Sequence, residues 1–168
     1  MEHNIIIYSN IVDLVDIYTN YCKSALSSNE IVLISSHYKS AARIFEILKD
    51  NINSIETYMA NGSLVIVDST RAYFGLKIDF VGIMIMLKML LTRRAKLSKD
   101  GIMVISDMGN FFHPLLRIND LFRHEEEVSS ATSLPFKFYC SYSKFDLDSF
   151  SNDQEQELMQ KHNRLINL

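Results

Sequence analysis

Residues 3–35 read HNIIIYSNIVDLVDIYTNYCKSALSSNEIVLIS, and this stretch decides the fold. Ile5, Ile6, Ile7 and Tyr8 make a β-branched run too short for a helix, which reads as a strand buried on both faces. Over residues 10–27 the apolar positions Ile11, Leu14, Val15, Tyr18, Cys22, Ala25 and Leu26 recur at helical spacing. Ser27-Ser28-Asn29 breaks the helix, and Ile31-Val32-Leu33-Ile34 makes a second strand. A strand, a helix and a strand in quick succession form the repeating unit of a parallel sheet with right-handed crossovers.

The same alternation continues along the chain. Ser40 to Lys49 reads as a second helix, with Ala41, Ile44, Phe45 and Leu48 on one face. Asn61-Gly62 is a turn leading into a third strand, Leu64 to Val67. Asp79 is placed to cap a long helix over residues 80–97, whose Met84, Met86 and Met89 read as core packing. Asp100-Gly101 ends that unit, and Ile102 to Ile105 is a fourth strand. Pro114 opens a helix to about Ser129, Phe136 to Tyr142 is the last predicted strand, and a polar stretch over 146–153 caps a final helix over 153–166. The prediction is one α/β domain over residues 1–168, three-layered, with a mostly parallel central sheet and helices on both faces.

Composition agrees with a packed domain. Of 168 residues, 48% are hydrophobic and 22% charged, so disorder is excluded as the main state. The net charge of −3 argues against direct nucleic-acid binding, which needs clustered cations. The one dense basic cluster, Arg93, Arg94, Lys96 and Lys99, sits at a helix end, where cations complement the macrodipole. Cys22 and Cys140 are too few and too isolated for a disulfide framework. The opening MEHNIIIYSN is no signal peptide. The longest apolar run, Phe80 to Leu91, contains Lys88 and falls short of the ~20 residues a membrane span needs. A cytoplasmic protein without membrane contact is the expectation.

Ligands of open parallel sheets bind at the carboxyl ends of the strands. Those ends here read Tyr8-Ser9-Asn10, Ser35-Ser36-His37-Tyr38, Asp68-Ser69-Thr70 with Tyr73 beyond, Ser106 to Asn110 followed by Phe111 and Phe112, and Cys140-Ser141-Tyr142. Polar and aromatic groups mix there, as in a small-molecule pocket. A phosphate-binding loop needs glycines, a lysine and a Ser or Thr. The first strand is followed instead by Ser9-Asn10-Ile11-Val12-Asp13-Leu14, and Asp13 and Asp16 would repel a triphosphate. The five histidines His3, His37, His113, His124 and His162 are scattered without metal-site spacing, so neither a metal nor a cofactor is expected. Cys140 reads as a small buried hydrophobe or a thiolate nucleophile. Asp107 reads either as a Mg²⁺-binding carboxylate or as a cap, and Glu125, Glu126 and Glu127 as a solvated helix face.

The order of these pieces resembles the MEDS family, the sensory domain of methanogens, methylotrophs and the DcmR regulator, distantly related to the KaiC and RecA ATPases. The resemblance runs almost end to end. It starts at His3 with Ile5 to Tyr8 and continues through Asn29 to Ile34, Gly62 to Asp68, and Asp107 to Phe112. Leu121 to Glu125 follows, with His124 where the family carries an aromatic, and Phe138 to Tyr142 and then His162 close the pattern. It implies a RecA-like fold without a P-loop and a non-enzymatic ligand-sensing or signal-input role. Almost the whole chain is used by the sensor, so the signal is expected to leave through a protein partner, such as a kinase or transcription regulator, or through a homo-oligomer. The ligand expected is a small organic compound near Tyr8, Ser9, His37, Tyr73, Asp107, Met108, Phe111, Phe112, Cys140 and Tyr142. Two other readings stand beside it: a divergent ATPase with a degenerate phosphate loop, and a scaffold acting through an exposed apolar face.

Overall fold

The computed structural model describes residues 2–69, 80–113, 116–130 and 135–167, with only the backbone of 80–84. The elements in chain order are β1 (Glu2–Tyr8), α1 (Ile11–Ser27), β2 (Glu30–Ser36), α2 (Ala41–Asn51), α3 (Ile55–Asn61), β3 (Leu64–Asp68) and α4 (Phe80–Lys96). Then come β4 (Gly101–Asp107), a 3₁₀ turn over Met108–Phe111, α5 (Ile118–Ser130), β5 (Phe136–Ser143), α6 (Lys144–Leu147), α7 (Asn152–Gln160) and β6 (Arg164–Asn167). The six strands form one sheet in the order β3-β2-β4-β5-β1-β6, and each neighbouring pair is parallel.

Alternation along the strands builds a core on each face of the sheet. Ile6 and Tyr8 of β1, Val32 and Ile34 of β2 and Ile105 of β4 pack against Leu14, Ile17, Tyr18 and Cys22 of α1 and Ile44 and Leu48 of α2. Ile5, Leu33, Val104, Phe138 and Cys140 point the other way, onto Leu87 and Leu90 of α4, Leu121 and Val128 of α5 and Leu158 of α7. All seven residues of β2 are buried, as a strand covered on both faces requires. Asn10 caps α1: its side chain accepts from Val12 N and Asp13 N, while Asp13 accepts from Asn10 N. The Asn61-Gly62 turn holds as expected, with Gly62 in the left-handed region at φ 78°. At the end of α4, Arg94 donates to the Asp100 carbonyl and Lys99 to the side chain of Asn29.

Several expectations need correction. The final helix stops at Gln160 instead of running to 166, and residues 164–167 form β6 beside β1. Without that strand β1 would present an unpaired edge, and satisfying its backbone outweighs the local helical tendency. The short helix α3 was not anticipated between the second helix and third strand. Met89 is 63% exposed and is no core residue, whereas Met86 packs partly against the core. Asp79, Pro114 and Met84 lie outside the residues, or the side chains, that are described.

Candidate functional site

Three places bring polar groups together. The first is the carboxyl edge where β2 and β4 end. Asp107 is fully buried and holds the loop after β2: its Oδ2 accepts from His37 N and Tyr38 N, each at 3.1 Å, and its Oδ1 from Gly109 N at 3.1 Å. Burial pushes its carboxyl up to about 6, although those three N–H groups work in the opposite direction. Next to it the Tyr38 hydroxyl donates to Asp146 Oδ2 at 2.5 Å, and His113 Nε2 lies 2.9 Å from Asp146 Oδ1. Burial and then the His113 charge lower the His37 pKa. Gly109 allows this packing. A Cβ there would lie 2.6 Å from His37 Cδ2 and 2.7 Å from Tyr38 Cε2, closer than real contacts allow.

Among the described residues, the N-termini of α1 and α2 along this edge are engaged by the chain itself. Asn10 and Asp13 satisfy the start of α1, while Ser40 accepts from Arg43 N and Asp68 Oδ1 from Ala41 N at 2.7 Å at the start of α2. Backbone donors that could cradle a phosphate elsewhere are therefore already taken here.

The second place is a cleft of about 620 Å³ beyond the carboxyl ends of β1 and β6, walled by α6 and α7. Ile7, Leu147, Phe150, Met159 and Leu165 give it apolar walls, and Ser9, Lys144, Asp148, Glu155 and Asn167 supply polar and charged groups. Its size is that of a small-molecule pocket.

The third place is buried between the sheet and α5. His3 Nε2 lies 3.0 Å from Glu125 Oε2 and 3.4 Å from Cys140 Sγ, and His162 Nε2 lies 3.4 Å from the same carboxylate oxygen. The Tyr142 hydroxyl donates to Glu125 Oε1 in a short hydrogen bond. The side chains of His3, Glu125 and His162 are 2%, 0% and 1% exposed. Burial alone would raise the Glu125 carboxyl, but the His162 and His3 imidazoles overcome it and hold the group well below its ordinary range. Burial, reinforced by Glu125, pushes the Cys140 thiol up.

Glu125 is thus no part of a solvated face; only Glu126 of that run is strongly exposed, pairing with Lys161. The reason is periodic. Leu121, Glu125 and Val128 fall at i, i+4 and i+7, so Glu125 sits on the buried stripe of α5. That spacing was visible in the sequence and could have found it. Asp146 and His113 carried no such signal, because their pairing depends on tertiary contact.

The residues expected at one pocket are spread over these places. His37 and Asp107 meet at the carboxyl edge, and Ser9 lines the cleft. Tyr8 is buried on the α1 face, Met108, Phe111 and Phe112 are buried on the opposite face, and Cys140 and Tyr142 lie in the cluster under α5. Tyr73 lies outside the described residues. Among the described residues no helix is long and apolar enough to cross a membrane.

Comparison with known proteins adds the following. A family model described as "MEthanogen/methylotroph, DcmR Sensory domain" (MEDS) matches residues 2–163. The crystal structure of the uncharacterized protein PH0321 from Pyrococcus horikoshii, in complex with an unknown peptide, is similar at TM-score 0.74 and 12% identity, covering 99% of this chain and 77% of that one. The flagellar accessory protein FlaH from Methanocaldococcus jannaschii is similar at TM-score 0.56 and 14% identity, covering 98% and 70%. No curated protein matches the chain. Likeness at such identities carries the fold, which is RecA-like.

Proposed function

The chain belongs to the MEDS family, and from that premise we propose that it is a non-enzymatic signal-input domain. It takes up a small organic ligand in the cleft beyond β1 and β6 and passes the event on through a protein partner, such as a kinase or regulator, or through self-association. One observation carries the non-enzymatic part. Among the described residues, the groups best placed to meet a nucleotide and its Mg²⁺ at the carboxyl edge are committed to the chain's own backbone: Asn10 and Asp13 at the start of α1, and Asp107 on the loop after β2. A carboxylate buried against three N–H groups has no face left for a hydrated cation. The cleft supports the ligand-binding part: apolar residues face polar ones there, and two carboxylates, Asp148 and Glu155, beside the one cation Lys144 disfavour a phosphate and suit a small organic molecule with a polar or cationic group.

Native mass spectrometry of the full chain purified from its own host tests the reading. A retained small organic species is expected, and it should be lost in Leu147→Arg, which fills the cleft. Calorimetry with ATP and Mg²⁺ should show no binding. Steady turnover of ATP that disappears in Asp107→Ala would overturn the proposal in favour of a divergent ATPase.

A further inference from the structure

The cluster under α5 has a donor arrangement that hydrogen bonding within the chain does not complete. His162 Nδ1 lies 2.8 Å from the Leu158 carbonyl, which can only accept, so Nδ1 carries the hydrogen and Nε2 faces the cluster. His3 Nδ1 lies 3.2 Å from Ser129 Oγ, whose own hydrogen goes to the Lys161 carbonyl. His3 Nδ1 is therefore also the donor, and its Nε2 also faces inward. In the neutral form of both rings, the form a metal would bind, two nitrogen lone pairs, the Glu125 carboxylate and the Cys140 sulfur face a common space. Among the described residues His162 Nε2 has no hydrogen-bond partner, its approach to Glu125 at 3.4 Å being an ion-pair distance only, and the four ligand atoms lie within 4.8 Å of one another.

We propose that His3, Glu125, Cys140 and His162 form a closed tetrahedral centre for a divalent d-block cation of the Zn²⁺ type. Three arguments support it. First, zinc bond lengths and a tetrahedral angle put neighbouring ligand atoms about 3.3–3.6 Å apart; four of the six pairs here lie at 3.0 Å (His3 to Glu125), 3.4 Å (His3 to Cys140), 3.4 Å (His162 to Glu125) and 3.9 Å (Cys140 to Glu125), and the other two lie within 4.8 Å, so closing the shell on a metal needs only small side-chain shifts. Second, a dication with one thiolate, one carboxylate and two neutral imidazoles is uncharged, which is the cheapest state for a site out of water. Without a metal, one imidazolium beside the carboxylate would also be neutral, but it leaves His162 Nε2 buried without a hydrogen bond. Third, the outer contacts are those of a metal site. Ser129 and the Leu158 carbonyl fix the imidazoles, and the Tyr142 hydroxyl orients the carboxylate. Nitrogen, oxygen and sulfur donors together suit Zn²⁺ or Co²⁺ and not the oxygen-seeking Mg²⁺ or Ca²⁺.

The four protein ligands leave no open position, so the centre is structural in type. It fastens the start of β1 to α5, the middle of β5 and the segment between α7 and β6. Binding displaces the Cys140 thiol proton to solvent and forms a metal–sulfur bond. The inference does not depend on the cleft or on the ligand proposed for it.

The full chain is unfolded in guanidinium with chelator and reductant, refolded, and titrated with Co²⁺, so that burial does not limit uptake. One equivalent should bind, with the intense visible bands of tetrahedral Co²⁺ and a near-ultraviolet thiolate-to-cobalt charge-transfer band. Zn²⁺ should displace it, and the melting temperature should rise with loading. Cys140→Ser should abolish the charge-transfer band, while Cys22→Ser, on the other face of the sheet, should leave it unchanged. His162→Ala should weaken binding at least 100-fold. Failure of the refolded wild-type chain to bind either metal overturns the proposal, as does a charge-transfer band that survives Cys140→Ser. The wild-type titration decides the matter even where a variant does not fold.

Discussion

Asp107 and Glu125 are both carboxylates with no exposure to solvent, yet their environments drive them in opposite directions. Asp107 at the carboxyl edge accepts from neutral backbone N–H groups and lies near the Asp146 charge, and burial wins: its pKa rises to about 6. Glu125 under α5 has two imidazoles and a tyrosine hydroxyl, and they override the same penalty. Burial alone therefore does not set the state of a carboxyl group. A partner able to carry positive charge does.

The contrast can be broken most severely at Glu125. Glu125→Ala strands two imidazoles and opens a gap beneath α5, and a loss of about 3–5 kcal/mol is expected in denaturant unfolding. A loss below about 1 kcal/mol would mean that the imidazoles do not need the carboxylate.

The pH dependence sharpens it next. Asp107 binds its proton more tightly folded than unfolded, so its contribution to stability grows as pH falls from above about 6 toward 3.8, by about 3 kcal/mol at most. Glu125 behaves oppositely: its contribution is complete above its ordinary value of 4.5 and is lost as pH falls through its lower folded value. Unfolding midpoints should rise as pH falls from about 7 toward 4.5 and fall at more acid pH, below about 4. Asp107→Asn should flatten the rise and leave the acid-side fall in place.

A smaller effect is expected from Tyr142→Phe. It removes the donor to Glu125 Oε1 without changing the core shape, at a cost of about 2 kcal/mol in the same measurement. The smallest belongs to Gly109→Ala. The added methyl meets the ring edges of His37 and Tyr38, side chains only partly buried and able to swing outward, so about 1 kcal/mol is expected. Tyrosine-selective NMR should then show Tyr38 released from Asp146.

The architecture was legible because its signal is local. Ile5 to Tyr8, Ile31 to Ile34 and Ile102 to Ile105 are short apolar runs between helical periodicities, and each became a strand of the parallel sheet. β6 was not legible: Arg164 to Asn167 is largely exposed, and it is a strand only because β1 has an edge to cover. The candidate site was legible in fragments. Ser9, His37 and Asp107 were placed at strand ends by position alone, but nothing in their spacing reveals that Asp107 is spent on backbone donors.

What the sequence determined by itself was the alternation of strands and helices, the absence of a glycine-and-lysine phosphate loop, and the end-to-end resemblance to a sensory family. Only the tertiary structure decided that His3, Glu125, Cys140 and His162 meet. They come from four segments separated by up to the length of the chain, and their only common feature is the space between α5 and the sheet. Periodicity is a property of neighbours along the chain. A coordination shell is a property of neighbours in space, and crossover topology alone converts one into the other.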